Sequence, residues 1–542
     1  MPTRRDVLQA SMLVATSLAA TKILGSGAHS ASAQGRSVWD EGDLVHLLPT
    51  ASHDRFLVKA SFKRVLENAP TLRIGGHTYR GQRTDSAGEC WRFDADELKP
   101  DTLYSLSLTA ANGQALAEPW QLRTFPTPDA VPEKLRVLIY TCAGGHDALT
   151  PIKGRTRFLP TEVRRQLLLR GLSFAPDAII ANGDHVYWDL EAPRASKVLG
   201  ASAEAIAYAG RFDSKSPVLG TTNERFLRKA AGPQITPVYG TLCRSTPVFF
   251  VQDDHDYFDN DEADDNIITF PPRHWMLELA RSTQSLYFPE FLPDAHRPLG
   301  LPGSSAADWP AGVCTSFGTL RYGRLAEILL YDVRRSATLA GPSAVFVDRD
   351  VEDWLKTRMS AREVAHVVNV PSNPPGWSAG KWGEWYPDIL GDEGKLTLAK
   401  SKPYWQSGWL RQHDRLLTAM SAMPGRVPLV ISGDLHAIAE GRIHRTGSVS
   451  LASNPVVAVL SGPMGTGDLG WPSAFRGIGP QPSQVLDVQE DLKPVEENGF
   501  SIVDFTTDSI AIRYFKWKAG RDSVESIAAL EPFRTSVLRR PA

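Results

Sequence analysis

Ala178-Ile179-Ile180-Ala181-Asn182-Gly183-Asp184-His185-Val186-Tyr187 is an apolar run that passes directly into a Gly-Asp turn, an imidazole and a phenol. The apolar residues 178–181 predict a buried β-strand. Ligand sites in open α/β sheets form where such strands end and loops begin. This stretch therefore predicts an α/β fold with a functional site at the carboxyl end of the strand.

Other segments of the chain also place polar side chains directly after a strand-like run. They are Thr141-Cys142-Ala143-Gly144-Gly145 after residues 136–140, Asp253-Asp254-His255-Asp256 after residues 247–251, and Gly433-Asp434-Leu435-His436 after residues 428–431. Together with residues 183–187, these segments supply a thiol, a phenol, carboxylates and imidazoles. This is the ligand set of a site for a hard, highly charged metal ion. The sequence therefore indicates a metallohydrolase. Counted along the chain, the Cys142 segment is the first of the four and the Asp184 segment is the second.

The N-terminus has the pattern of an export signal over residues 1–33. Thr3-Arg4-Arg5-Asp6-Val7-Leu8 precedes an apolar run that ends at Leu24, and Ala31-Ser32-Ala33 provides small residues for cleavage. Paired arginines favour the twin-arginine route, with the twin-arginine translocase as partner and a periplasmic or secreted destination. The alternatives are an N-terminal helix of the fold or a membrane anchor, but the run is short for a span of ~20 residues.

Composition limits the partners of the mature chain. Over all 542 residues, lysine and arginine total 59 against 61 aspartate and glutamate residues, so there is no basic footprint for nucleic acid or for an anionic membrane. No segment after the signal is apolar enough to span a bilayer, so we expect a soluble mature protein. The cysteines contain no C-x-x-C pair, and their disulfide state stays open: Cys90, Cys142, Cys243 and Cys314.

A Pro-rich stretch, Thr124-Phe125-Pro126-Thr127-Pro128, predicts a linker between domains. Before it, short alternating runs predict β-strands, so residues 40–127 are expected to form a small β-sandwich. The segment 98–104 resembles a corner of fibronectin type III-like sandwiches, with Tyr104 placed to hydrogen-bond back across the turn. This sandwich either packs against the rest of the chain or binds a partner.

Residues 132–535 are expected to form the catalytic domain, because strands alternate with helical stretches there. Thr161 is predicted to cap a helix that runs through Leu169. Further strands are predicted at residues 325–331, 365–370 and 456–460, with a hairpin over 500–515. The pattern favours a mixed-sheet sandwich flanked by helices.

In order along the chain, the four segments resemble the motif blocks of the calcineurin-like metallophosphoesterases: DxH, GDxxD, GNH(D/E), a lone His and GHxH. Cys142 stands in the place of the first acidic ligand, and Tyr187 ends the second block, Gly183-Asp184-x-x-Tyr187. These departures are those of the alkaline phosphatase D (PhoD-type) branch. Tyr331-Asp332-Val333-Arg334-Arg335 also resembles the strand of that branch that ends in D-x-R. The resemblance covers residues 40 to about 530.

The resemblance implies two metal sites that share Asp184. Cys142, Tyr187 and His436 would complete a site for Fe³⁺. Asp254 and Asp434 would face a second site, where oxygen ligands favour Ca²⁺, with Mg²⁺, Mn²⁺ or Zn²⁺ as alternatives.

The lone-His block is absent from the predicted strand 365–370. Asn369 in that strand is a candidate metal ligand in place of the histidine. An oxygen donor there would again favour calcium over zinc.

The same resemblance implies hydrolysis of a phosphate mono- or diester. The metals would polarise the phosphorus–oxygen bond and make hydroxide available at neutral pH. His255 is the expected proton donor to the leaving oxygen. Arg334 is the candidate for bidentate binding of the phosphate oxygens, and a salt bridge is its alternative role.

Three functions remain in competition. The first is an exported phosphomonoesterase or phosphodiesterase that scavenges phosphate, and the second is a phosphodiesterase for phospholipid or teichoic-acid-like polymers. The third is a non-enzymatic cell-surface module with calcium-binding loops, to which an acidic run over 259–265 could contribute. The aromatic loop 377–386 is either a substrate lid or packing material.

Overall fold

A computed structural model describes residues 39–147, 151, 153–188, 210, 212–213, 215–257, 274–290, 292 and 317–541. The predicted export signal, the acidic run 259–265 and Cys314 lie outside these residues. In the described part of the chain, no helix has both the length and the apolar character needed to cross a membrane. Cys90, Cys142 and Cys243 are buried free thiols.

The N-terminal part of the described chain consists of two antiparallel sheets with strand orders β1-β2-β6-β5 and β4-β3-β7-β8. The strands are β1 (Leu44–Ala51), β2 (Phe56–Phe62), β3 (Thr71–Ile74), β4 (His77–Arg80), β5 (Gln82–Arg83), β6 (Cys90–Ala95), β7 (Leu103–Thr109) and β8 (Trp120–Arg123). At the predicted corner, the Tyr104 hydroxyl accepts a hydrogen bond from the Lys99 N–H at 2.7 Å.

These sheets pack against the rest of the described chain. The Lys59 ammonium pairs with the Glu290 carboxylate at 2.9 Å, and both side chains are buried. The Leu47 N–H donates to the Gly240 carbonyl at 2.8 Å. Phe125, in the predicted linker, stacks on Phe249 with ring centroids 6.2 Å apart. The first part of the chain is therefore held on the larger part by apolar and ionic contacts.

A six-stranded mixed sheet carries the first three motif segments, in the order β11-β10-β9-β24-β25-β26. Its strands are β9 (Lys134–Tyr140), β10 (Ala178–Asn182), β11 (Val248–Val251), β24 (Asn498–Thr506), β25 (Ser509–Trp517) and β26 (Arg534–Arg539). β9, β10 and β11 are parallel, so their carboxyl ends meet at one edge. The core on its outer face includes residues of α1 (Thr161–Leu172), α2 (Thr222–Tyr239) and α3 (His274–Tyr287).

A second mixed sheet carries the fourth segment, with the order β12-β13-β14-β18-β21-β19-β20 and β23 beside β19. Its strands are β12 (Phe317–Tyr322), β13 (Ala326–Tyr331), β14 (His366–Pro371), β18 (Leu429–Ser432), β19 (Ile438–Thr446), β20 (Val449–Ser450), β21 (Val456–Ser461) and β23 (Leu486–Val495). Short strand pairs are formed by β15 (Trp377–Ser378) with β22 (Gln481–Pro482), and by β16 (Ile389–Leu390) with β17 (Leu396–Thr397). The core beside this sheet includes residues of α4 (Arg349–Ser360) and α5 (Ser407–Ser421), and a short α6 spans Pro472–Arg476.

Polar contacts connect the two mixed sheets. The Ser501 hydroxyl donates to the Ser461 carbonyl at 3.0 Å, and the Tyr514 hydroxyl donates to the Glu440 carboxylate at 2.8 Å. The arrangement is a mixed-sheet sandwich flanked by helices, so the predicted fold class is confirmed. The division into domains at the Pro-rich linker stays a prediction.

The prediction that Thr161 caps the first helix is wrong. Thr161 is the first residue of α1, the preceding Pro160 makes no side-chain cap, and the Thr161 N–H donates to the Asp147 carboxylate at 3.0 Å. Asp147 lies outside the helix by sequence and reaches it through the tertiary fold. The carboxylate thus replaces the hydroxyl as acceptor at the positive end of the helix dipole.

The aromatic loop 377–386 is packing material. Trp377, Trp382, Trp385 and Tyr386 are each at most 5% exposed and belong to the core of the second sheet. Burying these rings fixes the path of the loop between β15 and the residues that follow it.

Candidate metal centre

Four candidate ligands share an unusual backbone conformation at the strand ends. Cys142, Asp184, Asp434 and His436 all have a positive φ, between 47° and 64°. Non-glycine residues rarely adopt this left-handed conformation, which persists only where the surrounding structure imposes it. The turn after each strand thus directs the side chain into the space between the sheets.

The turns approach one another too closely to admit side chains at their glycines. A Cβ on Gly433 would lie 2.0 Å from the Thr141 hydroxyl and 2.8 Å from the Asn182 carbonyl. A Cβ on Gly183 would lie 2.6 Å from the Cβ of Asp253. Glycine at these two positions lets segments from both sheets meet at one place.

The thiolate–phenolate cluster consists of Cys142, Asp184, Tyr187 and His436. The Asp184 Oδ2 atom lies 3.2 Å from the Cys142 sulfur and 3.2 Å from the Tyr187 hydroxyl. The His436 Nε2 atom lies 3.1 Å from the same hydroxyl and 3.9 Å from Asp184 Oδ2. Four donor atoms from three different strand ends thus converge on one point.

The protein also sets the protonation of this cluster. His436 Nδ1 lies 2.7 Å from the Gly470 carbonyl, which accepts the ring proton and leaves Nε2 facing the cluster as a donor of electrons. Burial, followed by the charge of Asp184, raises the pKa of the Cys142 thiol well above its ordinary value. A cation at the cluster would reverse that shift, because a metal-bound thiol is deprotonated.

Gln234 holds the Tyr187 backbone, and the sequence contains no signal for this role. Its side-chain oxygen accepts from the Gly145 N–H at 2.9 Å and from the Tyr187 N–H at 3.0 Å. Its side-chain nitrogen donates to the Tyr187 carbonyl at 3.2 Å. One buried amide in α2 therefore joins the loop of the first segment to the loop of the second.

Asp256 supports the loops of the second and third segments. One carboxylate oxygen accepts from the N–H groups of His185 and Val186 at 2.9 and 3.0 Å. The other accepts from those of Asp184 and Asp253 at 2.9 and 3.0 Å. Asp256 is the last acid of the third block, so the motif itself was the available signal for this residue.

The three-aspartate cluster consists of Asp253, Asp254 and Asp434, whose oxygens lie within 4.8 Å of one another. Each side chain is fully buried. Two cationic side chains enter this cluster. Arg334 Nε lies 2.6 Å from Asp253 and Nη2 lies 3.3 Å from Asp434, while the Lys381 ammonium lies 2.6 Å from Asp434. Sequence reasoning missed Lys381, which lies in a loop far from the motif blocks.

Arg334, the predicted phosphate-binding residue, lies among buried carboxylates. The side chain is fully buried, and Nη1 donates to the Gly383 carbonyl at 2.6 Å. Asp332 of the D-x-R segment accepts from the backbone N–H groups of Arg334 and Arg335 at 2.6 and 3.1 Å, and thus forms the turn that presents the guanidinium. Arg334 neutralises buried carboxylates, and these salt bridges are buried.

Asn369 does not occupy a strand end. Asn369 pairs with Val430 in the middle of the second sheet, and Val430 lies four residues before Asp434 in the chain. The Asn369 side-chain oxygen accepts a hydrogen bond from the Tyr331 hydroxyl at 3.3 Å. The strand continues to Pro371, and Asn373 follows it. The Asn373 side chain donates to the Gly383 carbonyl, which Arg334 also contacts. Among the residues that the structure describes, its buried oxygen has no hydrogen-bond partner. The amide at this strand end is therefore Asn373.

His255 lies beside both clusters and faces a small cavity. Its ring centroid is 4.3 Å from that of Tyr187, and one nitrogen lies within 4.8 Å of Asp184 and Asp254 oxygens. The cavity has a volume of about 40 Å³ and is lined by His255, His436 and Tyr187 together with Arg157 and apolar side chains that include Phe158. A small anionic group that enters this cavity would meet His255, His436 and a guanidinium.

Solved structures establish what this architecture resembles. A structure of PhoD aligns with a TM-score of 0.58 at 12% identity, over 92% of this chain and 90% of that chain. The purple acid phosphatase PPD1 from yellow lupin (Lupinus luteus) aligns with a TM-score of 0.52 at 11% identity, over 92% and 75%. The fold is that of the calcineurin-like metallophosphoesterases. The predicted resemblance is thus confirmed at the level of the fold.

No family model and no curated protein sequence matches this chain. The similarity to PhoD and to the purple acid phosphatase is therefore a similarity of three-dimensional structure, and at 11–12% sequence identity it shows the fold alone. The role of each site residue must be argued from its own chemistry.

The two clusters differ in how they fit a metal ion. In the thiolate–phenolate cluster, the Asp184 carboxylate lies beside the Cys142 thiol, the Tyr187 phenol and the His436 imidazole. That donor set fits an iron ion. The three-aspartate cluster has suitable oxygens, but Arg334 and Lys381 already lie among them. It therefore does not fit the predicted Ca²⁺, Mg²⁺, Mn²⁺ or Zn²⁺.

Replacing Asp256 by asparagine should destabilise the protein by about 3 kcal/mol, because charge-assisted hydrogen bonds to the backbone are lost and an NH₂ group then faces N–H donors. Iron content should fall with stability, since the second and third segments lose their common support. Urea denaturation and elemental analysis measure both effects. Asp177→Asn is the control, because Asp177 is exposed and accepts a backbone N–H from Arg136. Equal stability of the two variants would contradict this role of Asp256.

Proposed function

We propose that this chain is an exported, metal-dependent phosphoric ester hydrolase of the alkaline phosphatase/phosphodiesterase class that scavenges phosphate. The observation that carries the proposal is the thiolate–phenolate cluster beside His255, at the strand ends of a metallophosphoesterase fold. A calcium-binding surface module has no use for a buried thiol and phenol on one carboxylate. The acidic run on which that alternative depends lies outside the described residues.

Fe³⁺ is the proposed ion at this cluster. A thiolate, a phenolate and a carboxylate carry three negative charges, and His436 adds a neutral nitrogen. A trivalent ion balances these charges. When bound, the metal supplies Lewis acidity toward the phosphoryl group and lowers the pKa of water.

His255 is proposed to protonate the leaving oxygen of the ester. It is buried with 6% exposure, lies beside Tyr187 and lines the cavity, so its ring has a defined position relative to a bound phosphate. Arg157 is proposed to bind phosphate in the place of Arg334, because Arg157 lines the same cavity. The guanidinium lies 5.8 Å from the Phe158 ring and 5.9 Å from the Phe475 ring, which orient it.

Export through the twin-arginine route suits this metal centre. That route carries folded proteins, and the proposed ligands come from segments hundreds of residues apart, so the centre forms only after folding. Loading of the metal in the cytoplasm would then precede export. Phosphate scavenging outside the cytoplasm is the role that this location favours.

Removing the His255 imidazole should separate chemistry from metal binding. His255→Ala is expected to keep its iron and lose turnover by about 10²–10⁴-fold, because only general acid catalysis is removed. Asp184→Ala should lose both iron and turnover. The measurements are the hydrolysis of aryl phosphate, bis-aryl phosphate and phospholipid, with iron determined in the same samples. Wild-type turnover in either variant would contradict the proposed site, and activity on phospholipid alone would favour the polymer- or lipid-directed alternative.

Replacing Tyr187 by phenylalanine should change the colour of the protein. Phenolate and thiolate donate electrons to Fe³⁺ on absorption of light, so the wild type is expected to be coloured, which zinc with its filled d shell would not cause. Tyr187→Phe should shift or bleach the visible band and weaken iron binding. Tyr239→Phe is the control, because that buried hydroxyl bonds to Tyr140 and not to the cluster. A colourless, active wild type that holds zinc and no iron would refute the iron assignment.

Changing Arg4 and Arg5 to lysine should retain the full-length precursor inside the cell, because the translocase reads paired arginines. The retained precursor is expected to be folded and active in the lysate. Immunoblotting and activity assays of cytoplasmic and extracytoplasmic fractions measure the result. An unchanged extracytoplasmic level of cleaved enzyme would show that another route is used.

A further inference from the structure

The three-aspartate cluster presents an electrostatic problem. Asp253, Asp254 and Asp434 are 0–2% exposed and hold their oxygens within 4.8 Å of one another. Buried carboxylates this close together repel one another and must be offset by positive charge. In a two-metal hydrolase a second metal ion supplies that charge.

In this protein, the side chains of Lys381 and Arg334 bring positive charge to the three-aspartate cluster. Lys381 Nζ lies 2.6 Å from one oxygen of Asp434 and 3.9 Å from an oxygen of Asp254. Arg334 Nη2 lies 3.3 Å from the other oxygen of Asp434 and 4.0 Å from the second oxygen of Asp254. These are the two carboxylates that the sequence assigned to the second metal ion. Both oxygens of Asp434 therefore face a cation of the protein.

The loop that carries Lys381 is braced, so the ammonium is held at this position. The Glu384 carboxylate accepts from the Ala379 N–H at 2.7 Å and from the Ser378 hydroxyl at 2.6 Å. The Gly383 carbonyl, two residues after Lys381, accepts from Arg334 and from Asn373 at 2.6 and 2.7 Å. The side chain of Lys381 is itself 8% exposed.

We propose that Lys381 takes the place of the second metal ion, so that the centre holds one metal ion and a fixed ammonium group. An ammonium has three donors and no acceptor, and it therefore satisfies several carboxylate oxygens as a divalent ion does. A Ca²⁺ ion requires six to eight oxygen ligands at about 2.3–2.6 Å, and here the ammonium already occupies the space beside one oxygen of Asp434 and one of Asp254. This inference rests on the proposed metal-dependent function and specifies the number of metal ions.

The test is the metal content of the full-length protein and its Lys381→Met variant, both loaded with iron. Methionine keeps the length of the side chain and removes its charge. The wild type is expected to hold one iron per chain and to show no calcium binding that depends on Asp254. Lys381→Met removes the cation from one oxygen of Asp434 and one of Asp254, while Arg334 stays beside the other oxygen of each. The variant is therefore expected to gain one calcium-binding site at the two released oxygens, measured by titration calorimetry with calcium chloride. It should lose that site again when Asp254→Asn is added.

The control is Lys59→Met, which removes another buried ammonium from a carboxylate, that of Glu290, outside the candidate centre. It should hold iron as the wild type does and gain no calcium site. Lys381→Arg, which keeps a positive charge, should also gain none.

The metal content of the wild type and calcium binding by Lys381→Met both test whether Lys381 replaces the second metal ion. A wild type with a second metal ion that Asp254→Asn removes would overturn the inference about Lys381 and leave the proposed function intact. A folded Lys381→Met variant that takes up no calcium would also overturn it. A wild type that binds no metal under any loading condition would overturn the proposed function together with this inference. If Lys381→Met does not fold, the wild-type stoichiometry still decides.

Discussion

The burial of negative charge at the strand ends is the constraint on which this structure depends. Asp184, Asp253, Asp254 and Asp434 are each at most 2% exposed. Removing one carboxylate from water is costly, and several together require cations or polarised N–H groups nearby. The fold provides both, and their unequal distribution gives the site its character.

Cations are concentrated on one side of the centre. Arg334 and Lys381 contact the three-aspartate cluster, whereas Asp184 faces a thiol, a phenol and an imidazole. A charged carboxylate among neutral donors is a strong site for a metal ion, while a carboxylate already paired with a guanidinium is a weak one. The shared fold thus accommodates different ways of placing positive charge.

Backbone geometry translates this charge pattern into a site. Left-handed conformations at Cys142, Asp184, Asp434 and His436 each cost on the order of 1–3 kcal/mol, and tertiary contacts must offset that cost. Asp256 contributes through its acceptance of four backbone N–H groups from the adjoining loops. Strain and its compensation therefore both lie at the strand ends, where the candidate ligands are.

The sequence by itself determined the fold class, the four strand ends and the candidate ligands that follow them, because apolar runs and Gly-Asp turns are local signals. Only the tertiary structure decided that Asp147 caps α1 and that Asn369 lies in the middle of its strand. Only the tertiary structure also decided that Arg334 is buried among carboxylates and that Lys381 lies beside the same carboxylates. The loop of Lys381 is more than a hundred residues from Asp254 and about fifty before Asp434. Local periodicity contains no information on such a contact, since the contact exists only after the two sheets have packed and the charges have been buried together.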